Sequence, residues 1–170
     1  MMQQSVLTTL MDDLADYIAA ILVVVGWVVL YRQTLAMRRR EEMAQSVQLV
    51  IQTVDNIFHL SREYYSPSNS DHISYLSAEI KGKFVLLSKY LMILKAAGMQ
   101  FDVKVDILKF KMLSTGGHFE TVDFLQQLNQ PNWREELTYS GLSLRYSIER
   151  SYFTWCNQKL NIKSLLLPSI

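Results

Sequence analysis

Apolar and polar positions follow one another in two different ways along this chain. From Tyr17 to Tyr31 the sequence reads YIAAILVVVGWVVLY, fifteen residues with no charged side chain. From Met43 the pattern changes to spaced apolar positions. Met43, Val47, Val50, Val54, Ile57, Ser61 and Tyr64 are separated alternately by four and three residues, the interval that keeps one helix face toward a partner. Leu49, Ile51, Phe58 and Leu60 widen that face, so this helix is expected inside a bundle and not in a two-stranded zipper. No Pro or Gly interrupts residues 32–65. One long helix from about Leu14 to Tyr65 is therefore predicted.

The stretch SPSNSD, residues 66–71, is the clearest turn signal. Ser70 or Asp71 is the expected cap of a second helix, with Ile73, Leu76, Ile80, Phe84, Leu87, Leu91 and Leu94 on one face. Gly98 is placed to end it as a left-handed cap, with Lys95 favourably set in the last turn. The two helices read as an antiparallel hairpin. In VKVDILKFKML, residues 103–113, both strand-like alternation and a helical row of Val103, Ile107, Phe110 and Leu113 or Ser114 fit. Lacking a partner strand, the segment is assigned as helix, with Asp102 as its cap. A short helix is expected from Phe119 to Leu128, stopped by Asn129-Gln130-Pro131. Asn132, with Glu135 three residues on, then resembles a capping box. It opens a last helix bearing Leu144, Ile148, Tyr152, Trp155 and Lys159 on one face to about Asn161, with a pause possible at Gly141. The final SLLLPSI is apolar.

Charge changes the reading of the first segment. At 1.5 Å per residue, fifteen residues reach roughly 22 Å, short of the ~30 Å hydrocarbon core, and alone would suit a buried soluble helix. All 17 Lys and Arg, however, lie after residue 31, whereas the residues before carry only Asp12, Asp13 and Asp16. A soluble helix has no reason to segregate charge this way. Leu14 and Ala15 extend the span, and Arg32 can lay its methylenes along the apolar layer with its guanidinium at the interface. Tyr17, Trp27 and Tyr31 supply the rings of an interfacial belt. The acidic N-terminal flank and the lack of a small-residue cleavage pattern after Tyr31 argue for a retained anchor over a cleaved leader. Arg32, Arg38, Arg39 and Arg40 place the C-terminal flank in the cytoplasm by the positive-inside rule.

Composition narrows the function classes. Hydrophobic residues are 49% and charged residues 19%, which excludes disorder as the default. One Cys excludes a disulfide framework or a cysteine zinc site. The net charge of +1 gives no reason to expect nucleic acid. His59 and Glu63 are i, i+4 neighbours, better read as a helix-surface pair than a metal site. His118, Glu120 and Asp123 cluster after Gly116-Gly117, where carboxylates at a helix start need only the dipole to explain them. Cys156 lies among aromatics and reads as a small core hydrophobe. No phosphate loop, nucleophile elbow or metal-ligand motif occurs. Neither a catalytic residue nor a cofactor or metal is expected, and no small-molecule substrate.

The expectation is an all-α chain: one N-terminal transmembrane helix continuing into a cytoplasmic antiparallel helical bundle. Residues 1–16 form a short acidic extracytoplasmic tail, 17–37 the span and its basic flank, and 38–170 the cytoplasmic domain. Such a layout fits a single-pass protein of the inner membrane, bacterial or phage in origin, that presents the domain to a protein partner or to further copies of itself. Trp133, Tyr146, Arg150 and Trp155, in a segment where aromatics and arginines interleave, are the candidate partner contacts, although an ordinary helical core uses the same mixture. The alternative is an oligomerising, membrane-disrupting effector of the toxin or phage-defence type, in which Asp16, Gly26 and Arg32 would matter.

Overall fold

A computed structural model of the chain describes residues 2–66, 72–116, 119–121 and 132–160, with side chains described from Tyr17 to Gln158. The described residues form four α-helices and no strand: α1 (Met2–Tyr64), α2 (Ile73–Ala96), α3 (Lys104–Ser114) and α4 (Trp133–Leu160). The chain divides into two units, Met1–Glu42 and Met43–Ile170.

In the first unit, α1 begins well before the predicted Leu14. From Tyr17 to Met37 its side chains are exposed all round, only Gly26 being half-covered. The helix is long and apolar enough to cross a membrane by length and composition.

In the second unit the 4-3 row of α1 is wholly inside. Met43, Val47, Val50, Val54, Ile57, Ser61 and Tyr64 are each buried. The hydroxyls on this face do not cost an unpaired group, since Ser61 Oγ donates to the Ile57 carbonyl at 2.7 Å and Thr53 Oγ1 to Leu49 at 2.7 Å. The row on α2 is equally clear: Leu76, Ile80, Phe84, Leu87, Leu91 and Leu94 are buried, and Ile73 is half-buried.

Gly98 ends α2 as predicted. Its φ is 88°, a conformation that costs a side-chain-bearing residue about 1 kcal/mol or more. The Met99 N–H donates to Leu94 O at 3.1 Å and the Gly98 N–H to Lys95 O at 3.0 Å, the paired bonds of a Schellman motif. Met99 and Leu94 are both buried, closing the motif with its apolar contact.

Two other caps differ from expectation. The predicted Ser70 or Asp71 cap lies outside the described residues; the residue before α2 is His72, whose side chain makes no capping bond. Residues 104–114 are helical, but Val103, not Asp102, precedes the first turn. Val103 is buried and its carbonyl accepts the first helical bond, from the Ile107 N–H at 2.9 Å, while Asp102 stands one residue outside, exposed. Asn132 has a φ of 77°, left-handed and unlike the extended backbone of a capping box. Its carbonyl nonetheless accepts the first helical bond, from Glu136 N–H at 2.8 Å. The helix expected at 119–128 falls mostly outside the described residues, and Phe119–Thr121 are turn and bend. α4 does not pause at Gly141, which is buried with Phe110 Cε2 3.4 Å from where a Cβ would stand.

Contacts between distant residues give the topology. Moving back along α1 from Tyr65 to Asp55 meets α4 moving forward from Trp133 to Arg145. α3 and α4 are likewise antiparallel, with Leu113 beside Trp133 and Asp106 beside Ser143 and Ser147. Phe84 of α2 packs on Phe110 of α3, their centroids 6.0 Å apart. Ser77, near the start of α2, meets Glu120 just beyond α3. The directions alternate, so the described helices of the second unit form an up-down-up-down four-helix bundle.

Candidate membrane anchor and interaction surface

An exposed apolar helix of this length is of the kind that can span a bilayer. Between Tyr17 and Tyr31 the large side chains are 48–73% exposed, and every backbone polar group there is bonded within the helix, as a bilayer requires. Thr34 Oγ1 donates to the Leu30 carbonyl at 2.9 Å, so this hydroxyl too is satisfied locally. Tyr17, Trp27 and Tyr31 project freely, as do Arg32, Arg38 and Arg39, while Arg40 is half-covered.

The candidate partner contacts divide into two pairs. Trp133 and Trp155 are buried in the bundle core. Trp133 donates its indole N–H to Leu113 O at 2.9 Å and packs edge-to-face on Tyr65. Trp155 stacks on Tyr152. A partner docking on the folded bundle does not reach either indole. Tyr146 and Arg150 lie on the opposite side of α4 and are exposed. With them on that side stand Tyr139, Leu142 and Phe153, an apolar row that the sequence reading did not separate from the core row. A signal existed: positions 139, 142, 146 and 153 repeat at heptad spacing, offset from 137, 144, 148 and 155.

The candidate chemical groups are mostly occupied or dispersed. The Glu120 carboxylate accepts Lys81 Nζ at 2.6 Å through one oxygen and at 2.5 Å through the other, and Ser77 Oγ at 2.9 Å. The Lys81 ammonium, and after it the Ser77 hydroxyl, favour the ionised carboxylate and hold its pKa below the ordinary value. Its backbone, at φ 61°, donates to Tyr64 Oη at 2.8 Å. Phe119 packs on the Tyr64 ring at 4.8 Å. Glu120 thus pins the chain beyond α3 to the near ends of α1 and α2, a structural task. His118 and Asp123 lie outside the described residues. Among the described residues no group of three His, Cys, Asp or Glu could hold a metal ion.

His59 and Glu63 open, with Arg62, Ser66 and Arg134, on a shallow cleft of about 290 Å³. Arg62 lies over the Phe58 ring at 5.6 Å. Cys156 is half-buried against the core and is a free thiol. A second groove, of about 320 Å³, runs along the outer side of α3 between Val105, Leu108, Lys109, Met112 and Leu113. Comparison with protein-family models, curated proteins and solved structures finds no match to this chain.

Proposed function

We propose that this chain is a single-pass, membrane-anchored helical interaction protein. Its helical domain is held at the membrane surface, where it binds a protein partner or assembles with other copies. The observation that carries this reading is the fully exposed apolar helix surface from Tyr17 to Tyr31, followed at once by Arg32 and Arg38–Arg40. Water does not support such a surface, and the arginine cluster supplies both a stop and a contact for anionic headgroups worth about 1 kcal/mol per charge. On the positive-inside rule the N-terminus is outside and residues 38–170 lie in the cytoplasm, at an inner membrane. Anchoring confines the bundles to two dimensions and raises their mutual concentration without any new contact.

Fractionation tests the anchor, and cysteine accessibility tests its direction. The full chain is expected to resist extraction by carbonate at high pH. A cysteine placed at Gln3 should react with an impermeant maleimide in whole cells, and Cys156 should not. Release by carbonate defeats the anchored reading, and labelling of the opposite end reverses the topology. Loss of membrane potential on expression, altered by Gly26→Leu, would instead move the chain to the membrane-disrupting class.

A further inference from the structure

The outer side of the bundle at α3 and α4 carries more apolar surface than a solitary domain keeps. On α3, Val105, Leu108 and Met112 are 60–76% exposed. On α4, Tyr139, Leu142, Tyr146 and Phe153 are 53–70% exposed.

These two rows form one surface. Asp106 Oδ1 and Oδ2 accept Ser143 Oγ at 3.2 Å and Ser147 Oγ at 2.9 Å, and Phe110 packs at Gly141. That antiparallel register sets Val105 level with Tyr146 and Met112 level with Tyr139. On the α4 wheel, Tyr139 and Tyr146 follow Ser143 on the side away from the core. On the α3 wheel, Val105 and Met112 stand in the same relation to Asp106. The two apolar rows therefore flank the α3–α4 seam from either side.

Three aromatic side chains of about 150–250 Å² each and four smaller aliphatic ones, at 53–76% exposure, together expose roughly 800 Å². The largest apolar patch on a monomer is typically about 300–600 Å², and a specific interface takes ~800 Å² from each partner. The patch matches one half of a standard interface. Its rim is mixed in sign. Exposed Lys104 and Lys111 lie on α3 and Lys109 stands within its apolar row, whereas α4 contributes Glu135, Glu136 and half-buried Glu149 beside Arg134 and Arg150. A rim carrying both signs can meet its own copy with opposite charges facing; a patch that lies on anionic lipid is hindered by the glutamates. Among the described residues the other exposed apolar side chains of the bundle are Leu49 on α1 and Tyr75, Val85, Met92 and Ile93 on α2, which together expose less area.

We infer that the α3–α4 face is the surface through which two copies of this chain pair, with Tyr146 at the centre of the contact. This deepens the proposed function and rests on it only for the membrane that keeps the copies together. In a two-fold contact the central residue meets itself, so position 146 should crosslink to position 146 of the other copy.

The experiment uses the full chain in its membrane with Cys156→Ala as background. Tyr146→Cys is compared with Tyr75→Cys, a tyrosine of α2 with the same 64% exposure. Under mild oxidation, about tenfold more disulfide dimer is expected from Tyr146→Cys, because paired thiols meet at a far higher effective concentration than colliding ones. Leu142→Glu, added to Tyr146→Cys, should abolish the crosslink and halve the mass in mild detergent while leaving the helical circular dichroism unchanged. Equal crosslinking at both tyrosine positions, a monomeric chain, or a dimer indifferent to Leu142→Glu overturns the pairing. So does a monomeric Tyr146→Cys chain whose introduced thiol is shielded from maleimide by lipid or by a stoichiometric foreign protein. Failure of carbonate resistance would defeat the anchor separately, since the crosslink reads the pairing alone.

Discussion

Tyr64 and Tyr65 are neighbours, both completely buried, and removing their hydroxyls should act in opposite directions. The Tyr65 hydroxyl has no hydrogen-bond partner, although its ring packs edge-to-face on Tyr64 at 4.8 Å and on Trp133 at 5.0 Å. An unsatisfied buried polar group costs about 1–3 kcal/mol. Tyr65→Phe keeps the ring contacts and removes that cost, less what the oxygen contributes to packing. A gain of about 1 kcal/mol is expected. Tyr64→Phe instead takes the acceptor from the Glu120 N–H, a loss of roughly 0.5–1.5 kcal/mol. The two variants should differ by about 2 kcal/mol. Thermal unfolding of the full chain in mild detergent, followed by near-ultraviolet circular dichroism, reads this as roughly 3–5 °C per kcal/mol for a domain of this size. High pH gives a second readout. Burial raises both phenols above their ordinary value of 10.0, and for Tyr65 the charge of Tyr64 adds to the rise. A raised native value means stability that is complete below pH 10 and falls as pH climbs through it. Tyr65→Phe should lose less stability there than the parent chain. Equal destabilisation by the two variants would refute the reasoning, because it would mean that the Tyr65 hydroxyl is bonded.

Charge in the exposed apolar helix should be costly: Val24→Arg is expected to add about 2.5–3.5 kcal/mol to insertion, visible as a larger carbonate-soluble fraction. Glu120 has its pKa held low by Lys81 and Ser77, so its contribution is present above its ordinary value of 4.5 and is lost as pH falls through the lowered native one. Glu120→Gln should flatten that part of an acid titration followed by tryptophan fluorescence. Within α2, a Cβ at Gly82 meets nothing within 4 Å, so Gly82→Ala should raise stability by about 0.5–1 kcal/mol through helix propensity alone. Gly141→Leu, against Phe110, should lower it by about 1–3 kcal/mol through overpacking; melting curves distinguish the two.

What could be read in the sequence was local and periodic. The seven-residue track from Met43 to Tyr64 and the α2 row from Leu76 to Leu94 were legible because each helix has one core face and the spacing states it. Gly98 was legible because a left-handed residue after an apolar run favours glycine. Residues 103–113 were ambiguous as a short stretch whose apolar positions satisfy two periods, and Asp102 misled because the helix begins one residue later, at the buried Val103. Asn132 carried the letter of a capping box but adopts the left-handed backbone that asparagine also tolerates. The clamp at Glu120 gave no sequence signal. Its partners Tyr64, Ser77 and Lys81 are 56, 43 and 39 residues away, and only tertiary structure brings them together. Trp133 and Trp155 on the one hand, and Tyr146 and Arg150 on the other, belong to two stripes of a single helix. A list of aromatics does not separate these, whereas their register does.

The order of helices has a consequence for how the chain is made. α1 leaves the ribosome first, and its row from Met43 to Tyr64 has to wait for its cover. α2 follows closely, but the flank that meets α4 stays open until Arg145 can reach Asp55, a pair separated by 90 residues. At about 5–20 residues per second, that interval lasts roughly 5–20 s. Through it, an apolar strip stands uncovered on the nascent chain, beside others emerging from the same polysome. α4 thus completes the cover of that strip, and a truncated message that stops before Trp133 would release a chain whose α1 flank stays unsealed.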